Sequence, residues 1–274
     1  MAVRIISALV GIVIVFVVLF LHNTIALPIA VAVISSIMIF ELFRASKCEK
    51  FYPALISACI YNIIKTLSFG TSFEKYVLPL ELLAVFAVFL TFIMKHKIIT
   101  FQQTAFMLAS MILVTESMLT IVKTEALDDT HGVVFLVLGL CGAWIADSGA
   151  YFAGTFLGKH KLCPEISPKK TVEGFIGGIV TTAIVFVAFN AVYINFFSKE
   201  ELNVNYILLA VAGAVCAVIG TVGDLSASMI KRQCGIKDYG NIMPGHGGMM
   251  DRFDSVIFVM PTFYAFLSVM DIYK

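Results

Sequence analysis

Charged side chains are scarce in this sequence of 274 residues: Asp, Glu, Lys and Arg make up 14% of it, while hydrophobic residues make up 60%. The mean hydropathy of +0.97 lies far outside the range of water-soluble domains. This composition excludes a soluble globular enzyme and leaves no room for a separate soluble domain. The formal net charge is only +1, and nucleic acid is not expected among the partners.

Paired cysteines, internal repeats, low-complexity tracts and linkers are also missing. The six cysteines are scattered without the paired spacing of metal ligands, so the sequence predicts reduced thiols, with neither a disulfide framework nor a zinc site. Residues 1–274 are predicted to form a single membrane domain. Its N-terminal part, 1–130, would consist of transmembrane helices, and 131–274 would add further helices and the cytoplasmic loops of an active site.

Long apolar runs, by contrast, recur along almost the whole chain. A helix needs roughly 20 apolar residues to cross about 30 Å of hydrocarbon, and runs of this kind satisfy their backbone there as helices. The sequence therefore predicts an all-α, polytopic integral membrane bundle of about nine transmembrane helices. The third run is the weakest, because Asn62 and Lys65 interrupt it, and the first is expected to be a retained span rather than a cleaved signal peptide. The predicted spans are 5–21, 25–43, 52–70, 77–94, 102–122, 132–156, 175–197, 206–226 and 253–270.

Basic residues are distributed unequally between the two sides of this predicted bundle. With nine spans and a cytoplasmic N-terminus, 14 of the 19 Lys and Arg residues fall on inside segments, 4 fall outside and Lys65 lies within a span. Cytoplasmic loops of membrane proteins carry such an excess of Lys and Arg. The pattern predicts that the N-terminus lies in the cytoplasm and the C-terminus outside.

The main concentration of charge lies between the last two apolar runs, at 223–254. Charge at or near bilayer depth is costly and usually marks a functional site. Carboxylates interleaved with Lys and Arg beside a Gly-rich loop favour a phosphate ligand with a divalent metal ion. The charged residues of this stretch are Asp224, Lys231, Arg232, Lys237, Asp238, Asp251, Arg252 and Asp254.

Helical spacing places side chains of this stretch in two groups. Asp224, Ser228 and Lys231 share one helix face, and Asp251 and Asp254 share another at the start of the ninth span. The three carboxylates together would hold one or two hard cations, with phosphate completing the shell as is usual for Mg²⁺. A purely structural ion-pair network is the alternative.

The Gly-rich segment at 244–248 cannot hold a regular helix, and its glycines let backbone amides approach a ligand closely. His246 is the only histidine in this stretch. A lone histidine among glycines is more often structural or in contact with phosphate than a general base. His246, Gly247 and Gly248 are therefore assigned to substrate binding.

A second polar cluster ends the sixth span. Asp147 falls about 22 Å along that helix, inside or just below the headgroup layer, and intramembrane carboxylates are functional by default. The alternative is an Asp that is hydrogen-bonded to a neighbouring helix. Gly154 and Gly158 follow at the spacing of closely packed helices, and packing is their expected role.

The loop at 158–174 forms the third cluster. Ser167, which precedes a proline, predicts a helix N-cap with that proline in the first turn. Lys169 and Lys170 would then stand beside a helix N-terminus, whose free amides favour an anion, with Glu173 one turn further on. The alternative is a positive-inside loop that only fixes topology. That role is expected for the two earlier lysines of the loop, Lys159 and Lys161.

Together these motifs resemble the signature of the CDP-diacylglycerol synthase (phosphatidate cytidylyltransferase) family. The similarity covers roughly residues 144–254, whereas the N-terminal spans share only hydrophobicity with the family. A signature of this length is specific, unlike a lone Gly-rich loop. It comprises Asp147-Ser148-Gly149-Ala150-Tyr151, Ser167-Pro168-Lys169-Lys170-Thr171, Glu173-Gly174, Ser228, Lys231-Arg232, Lys237-Asp238, His246-Gly247-Gly248 and Asp251-Arg252-Phe253-Asp254.

The resemblance implies that CTP and phosphatidate react to give CDP-diacylglycerol and pyrophosphate in phospholipid biosynthesis, by in-line attack of the lipid phosphate on the α-phosphorus. It implies Mg²⁺ as cofactor, as two divalent cations or as one with a monovalent ion, with Asp224, Asp251 and Asp254 as metal ligands. The catalytic residues would be Asp224, Ser228, Lys231, Arg232, Asp251 and Asp254. The substrate-binding residues would be Asp147, Ser167, Lys169, Lys170, Glu173, Lys237, His246, Gly247, Gly248 and Arg252.

The family likeness also implies a bacterial inner membrane location with the active site on the cytoplasmic side, and it is compatible with a homodimer. Two other functions stay open. Another CTP-dependent lipid enzyme, such as a polyprenol kinase, would release CDP instead of pyrophosphate. An ion transporter would also carry charge at depth, but it would need a polar path to the far face, where this sequence is almost wholly apolar.

Overall fold

Helices dominate the structure, a computed structural model that describes residues 2–198, 203–245 and 247–273. Within these ranges, one antiparallel hairpin of two short strands, β1 (Lys161–Cys163) and β2 (Ser167–Thr171), interrupts the helices. The helices are α1 (Ala2–Phe20), α2 (Ala26–Ala45), α3 (Tyr52–Ser68), α4 (Val77–Met94, after a 3₁₀ turn at Glu74–Tyr76), α5 (Phe101–Glu125), α6 (Gly132–Leu157), α7 (Val172–Phe196), α8 (Tyr206–Gln233), α9 (Met250–Phe253) and α10 (Val256–Val269).

Helical structure occupies most of each of the nine predicted spans. In the described part of the chain, seven helical segments are long and apolar enough to cross a membrane, and α1 adds a shorter apolar stretch, Leu9–Phe20. The predicted all-helical, polytopic membrane protein is therefore confirmed. The count of nine spans and the sides of the two termini remain predictions. The seven segments are Ala26–Ala45, Glu74–Met94, Phe101–Glu125, Gly132–Leu157, Val172–Phe196, Tyr206–Gln233 and Met250–Val269.

The chain groups into two compact units. The first unit consists of Met1–Val122 and Gln233–Phe253, and the second unit consists of Lys123–Arg232 and Asp254–Lys274. The Gly-rich loop thus belongs to the same unit as the N-terminal helices. The single membrane domain expected from the sequence remains a prediction.

Polar side chains that interrupt the third apolar run find partners inside the first unit. Asn62 donates hydrogen bonds to the Ala32 carbonyl (3.1 Å) and to the Ser36 hydroxyl (2.9 Å) on α2. Lys65 pairs with Glu116, lies 3.6 Å from a carboxylate oxygen of Glu81 and donates to the Tyr61 hydroxyl at 3.0 Å. Such pairing is what makes charge tolerable between apolar helices.

Close packing of α6 against α7 organises the second unit. A Cβ added at Gly178 would lie 2.8 Å from the Ala146 carbonyl, and one at Gly154 would lie 2.8 Å from the Thr171 hydroxyl. Small residues of this kind let helix backbones approach each other closely. The contact at Gly154 agrees with the packing role expected for it.

The prediction that Ser167 caps a helix is wrong. Ser167 lies in β2 and pairs with Cys163, while Thr171 pairs with Lys161. Helix α7 begins only at Val172, and its N-cap is Thr171, whose hydroxyl accepts a hydrogen bond from the Gly174 N–H at 3.1 Å. A proline is tolerated after Ser167 because both strands of a two-stranded hairpin are edge strands.

The ninth predicted span is also broken near its start. Helix α9 ends at Phe253 and α10 begins at Val256. At the break, Asp254 Oδ1 accepts a hydrogen bond from the Ser255 N–H at 2.8 Å. Local bonds of this kind compete with helix continuation. The helical spacing that placed Asp251 and Asp254 on one face therefore does not apply.

The cap at Thr171 supports a stability prediction. Thr171→Ala removes the acceptor for the Gly174 N–H, and we expect it to cost about 1 kcal/mol of unfolding free energy. The melting temperature in detergent should fall by a few degrees. Thr262→Ala is the matched control, because its hydroxyl bonds only within its own helix. Equal melting temperatures for the two variants would contradict the assigned cap.

Candidate active site

A cavity of about 580 Å³ lies in the second unit, with walls from α6, the hairpin, α7 and α8. Both positive and negative side chains face it, together with hydroxyls and apolar groups. Part of its lining was assigned to the site from the sequence: Asp147, Ser167, Lys169, Lys170 and Asp224. The rest of the lining is Ala150, Tyr151, Gly154, Thr155, Gly158, Lys161, Leu162, Thr171, Gly174, Phe175 and Thr221.

An ion pair between Lys170 and Asp224 joins two of the predicted clusters at this cavity. The Lys170 ammonium contacts Asp224 Oδ2, and the two side chains are only 23% and 22% exposed. The hairpin supplies the lysine and α8 supplies the carboxylate. The pair can therefore offer a cation to a phosphate and an anionic oxygen to a metal ion from adjacent positions.

Asp254 adds a second carboxylate to this region of the second unit. Its side chain is buried, and it interacts electrostatically with Asp224, Lys231 and Asp147. Backbone proximity supports the arrangement, since a Cβ added at Gly223 would lie 2.8 Å from the Asp254 carbonyl. Carboxylates held this close repel one another unless a cation compensates them.

The remaining predicted residues of α8 continue away from Asp224. Ser228 and Lys231 are half-buried on that helix, and Arg232 is exposed next to its end. These residues remain candidates for contact with phosphate.

Glu173 lies in the first turn of α7, and its assignment to substrate binding remains a prediction. Its carboxylate accepts hydrogen bonds from the backbone N–H groups of Lys159 (3.0 Å) and His160 (3.2 Å), and it lies 2.6 Å from His160 Nδ1. Glu173 is absent from the cavity wall. In the described structure, these contacts of Glu173 link the start of the hairpin to the first turn of α7.

Asp251 organises the Gly-rich loop of the first unit. Its Oδ2 accepts hydrogen bonds from the Tyr239 N–H (2.8 Å) and the Gly248 N–H (3.0 Å), and its side chain is buried. Gly247 has a φ of 91°, which an L side chain rarely adopts. Its assignment as a metal ligand remains a prediction.

Three other predicted residues belong to the same segment. Lys237 and Arg252 are exposed in the first unit. His246 lies outside the described residues.

Among the described residues, no group of three or more His, Cys, Asp or Glu side chains lies close enough to hold a metal ion. Mg²⁺ nevertheless requires only one or two carboxylates when substrate phosphates and water complete its shell. Asp224 and Asp254 meet that requirement within the second unit, and Mg²⁺ remains a prediction.

Several lining residues were missed or set aside by the sequence analysis. Lys161 was expected only to fix topology, yet it lines the cavity with Thr171 and Thr221. Recognition of a hairpin would have paired Lys161 with Thr171 and placed both at the site. Glu41 was also missed: its buried carboxylate contacts the Gly-rich loop. Its signal was available, because it is an acidic residue within an apolar span.

The model of the cytidylyltransferase family matches residues 2–270. This chain belongs to the cytidylyltransferase family. The resemblance predicted from residues 144–254 is thereby confirmed, and the match also includes the N-terminal helices that share only hydrophobicity by inspection.

Individual relatives of this cytidylyltransferase cover most of its length. The phosphatidate cytidylyltransferase of Bacillus subtilis (strain 168) is 36% identical over 261 residues, which are 93% of this chain and 94% of that protein. The protein of the same name from Staphylococcus aureus (strain COL) is 34% identical over 264 residues, 95% of this chain and 96% of its own. That of Staphylococcus haemolyticus (strain JCSC1435) is 35% identical over 210 residues, 76% of each chain.

The Lys170–Asp224 pair supports a functional prediction. Lys170→Gln removes one positioned cation from the cavity, and we expect cytidylyl transfer from labelled CTP to fall by about 100-fold. Lys159→Gln is the matched control from the same loop, since its side chain does not line the cavity. It should stay within about twofold of the parent protein, as surface charges usually do. Similar losses in both variants would show that loop charge, and not this ion pair, matters.

Proposed function

We propose that this cytidylyltransferase uses phosphatidate as its acceptor and forms CDP-diacylglycerol and pyrophosphate from phosphatidate and CTP. The observation that best supports the proposal is the cavity of the second unit, where Lys169 and Lys170 face Asp147 and Asp224 among apolar helices. A lipid acceptor suits a site embedded in membrane-spanning segments. The names of the relatives favour the same acceptor.

The chemistry requires charge compensation more than proton transfer. A phosphate oxygen of phosphatidate, already anionic near neutral pH, would attack the α-phosphorus of CTP, and the bond from that phosphorus to the β-phosphate oxygen would break as pyrophosphate leaves. The main difficulty is to bring two polyanions together and to stabilise negative charge around the reacting phosphorus. Lys161, Lys169 and Lys170 supply positive charge at the cavity wall.

Hydroxyl groups and the α8 cations would complete the binding of phosphate. Ser167 and Ser228 would donate hydrogen bonds to phosphate oxygens. Lys231 and Arg232 would hold further oxygens, with the Arg guanidinium suited to bidentate contact.

Asp224 and Asp254 would hold Mg²⁺ in the second unit. When bound, the metal would neutralise phosphate charge and support the departure of pyrophosphate. Asp251 as a further ligand is carried forward from the sequence as part of this proposal.

The location follows from the substrates. Phosphatidate remains in the leaflet with its headgroup at the interface, and CTP reaches the site from the cytoplasm. We therefore place the protein in the bacterial inner membrane with the cavity open toward the cytoplasm, which the excess of basic residues on predicted inside segments supports. A homodimer remains compatible with the proposal.

The decisive experiment uses purified protein in detergent with phosphatidate, Mg²⁺ and CTP labelled at the α-phosphate. Labelled lipid in the organic phase, with an equal amount of pyrophosphate, is the expected result. Release of CDP with a phosphorylated lipid would instead indicate a lipid kinase. Failure to label any lipid would point to another acceptor or to the transporter.

Carboxylate substitutions test the metal assignment. Asp224→Asn and Asp251→Asn should each lower turnover by about 100-fold or more, because each removes an anionic ligand proposed to hold Mg²⁺ beside the reacting phosphates. Both variants should still insert into the membrane. Asp271→Asn, at an exposed position after α10, is the control and should retain parental turnover. Near-normal activity of either test variant would show that its carboxylate is not a metal ligand.

A further inference from the structure

We infer that Glu41, on α2, is a positioning residue for the segment 238–252, which contains the Gly-rich loop and Asp251. The inference gives the N-terminal helices an indirect part in the reaction, through the position of that segment. Its catalytic consequence rests on the proposed function, whereas its geometry does not.

The Glu41 carboxylate accepts hydrogen bonds from two consecutive backbone amides that are distant from it in the chain. Its Oε1 accepts a hydrogen bond from the Met249 N–H at 3.0 Å, and its Oε2 accepts one from the Met250 N–H at 2.7 Å. The residue is only 1% exposed. These amides lie at the start of α9, where N–H groups have no partner within the helix. Glu41 therefore caps α9 with a carboxylate supplied by another helix, the stronger, charge-assisted form of such a cap.

A second contact ties the other end of the segment to the same turn of α2. Arg44 Nη2 donates a hydrogen bond to the Tyr239 carbonyl at 2.6 Å. The N–H of Tyr239 in turn donates to Asp251 Oδ2, which also accepts the Gly248 N–H. Residues three positions apart on α2 thus hold both ends of the segment, and Asp251 links those ends internally.

Glycine at position 248 is required by this contact. A Cβ added there would lie 2.5 Å from Glu41 Oε1, closer than any side chain can pack. Gly240 faces the same carboxylate. Gly248 was assigned to substrate binding from the sequence, and the structure gives it a separate reason to lack a side chain, because its backbone must reach Glu41.

The arrangement matters for catalysis because it determines where Asp251 and Arg252 are held. Functional groups act efficiently when neighbouring residues fix them by hydrogen bonds and packing. Glu41 does not need to touch a substrate for this role. Its loss should misplace the segment while leaving the cavity of the second unit chemically unchanged.

Glu41→Gln is the direct test. Glutamine presents one acceptor oxygen and one amide donor, so one of the two backbone N–H groups would face a donor. We expect kcat to fall by about tenfold or more, the apparent KM for phosphatidate to change by less than about threefold, and the Mg²⁺ concentration for half-maximal activity to rise, as when the supports of a metal ligand are removed.

Glu74→Gln is the matched control. It makes the same substitution in the same unit, at an exposed carboxylate that accepts a hydrogen bond from the Gly70 N–H at 3.3 Å, away from the Gly-rich loop. It should retain kcat within about twofold of the parent, since the residue has no contact with the segment. A parental kcat in Glu41→Gln, or an equal loss in both variants, would overturn the inference.

Hydrogen exchange on the unmodified full-length protein tests the geometry without any turnover. The amides of Met249 and Met250 should exchange about 100-fold more slowly than open loop amides, because a buried carboxylate accepts both. Exchange at the rate of open loop amides would overturn the inference even if Glu41→Gln did not fold. Because this measurement needs no substrate, it separates a failure of the Glu41 contact from a failure of the proposed acceptor.

A double-mutant cycle adds a specific signature. Gly248→Ala forces a methyl group against the Glu41 carboxylate and to 2.6 Å from the Gly240 backbone nitrogen, and Glu41→Ala relieves the first of these two contacts. The loss of activity in the double variant should therefore be smaller than the product of the two single losses, since residues in contact couple. If the activity loss of the double variant equalled the product of the two single losses, the assigned contact would be wrong.

Discussion

Compensation of charge inside an apolar bundle is the constraint on which the rest of this structure depends. Hydrocarbon offers neither water nor counter-ions, so every charged group brought between the helices needs a partner supplied by the protein. At the cavity, the Lys170 ammonium and the Asp224 carboxylate compensate each other's charge. The Glu41 carboxylate is instead compensated by hydrogen bonds from two backbone amides. In both cases the compensating contact also determines where a functional segment lies.

The hairpin between α6 and α7 shows how a small departure from helical structure produces the site. Its extended strands bring Lys161, Lys169 and Lys170 to one cavity. Thr171 ends the hairpin, caps α7 and lines the cavity. Thr171 therefore contributes both to the stability of α7 and to the shape of the cavity.

Much of the fold could be predicted from the sequence because long apolar runs have only one stable backbone conformation in lipid. The clustering of Asp147, Lys169, Lys170 and Asp224 could be predicted as well, because charge is so rare elsewhere. The predicted start of α7 was wrong because a Ser-Pro pair is equally compatible with an edge strand. The contact of Glu41 could not be predicted, because its partners are backbone amides more than 200 residues away and leave no side-chain signal.

The buried group around Lys65 has a consequence for how the protein is made. Helix α3 is absent from the described segments that are long and apolar enough to cross a membrane, and in the described structure its Asn62 amide nitrogen and Lys65 ammonium contact residues of α2, α4 and α5 and its own Tyr61. Left alone in lipid, α3 would expose an uncompensated ammonium, whose cost at bilayer depth amounts to several kcal/mol. We therefore expect α3 to integrate stably only together with α4 and α5, which carry Glu81 and Glu116 and follow it in the chain. Insertion of the N-terminal helices would then be cooperative, because each helix supplies a charge that another one compensates.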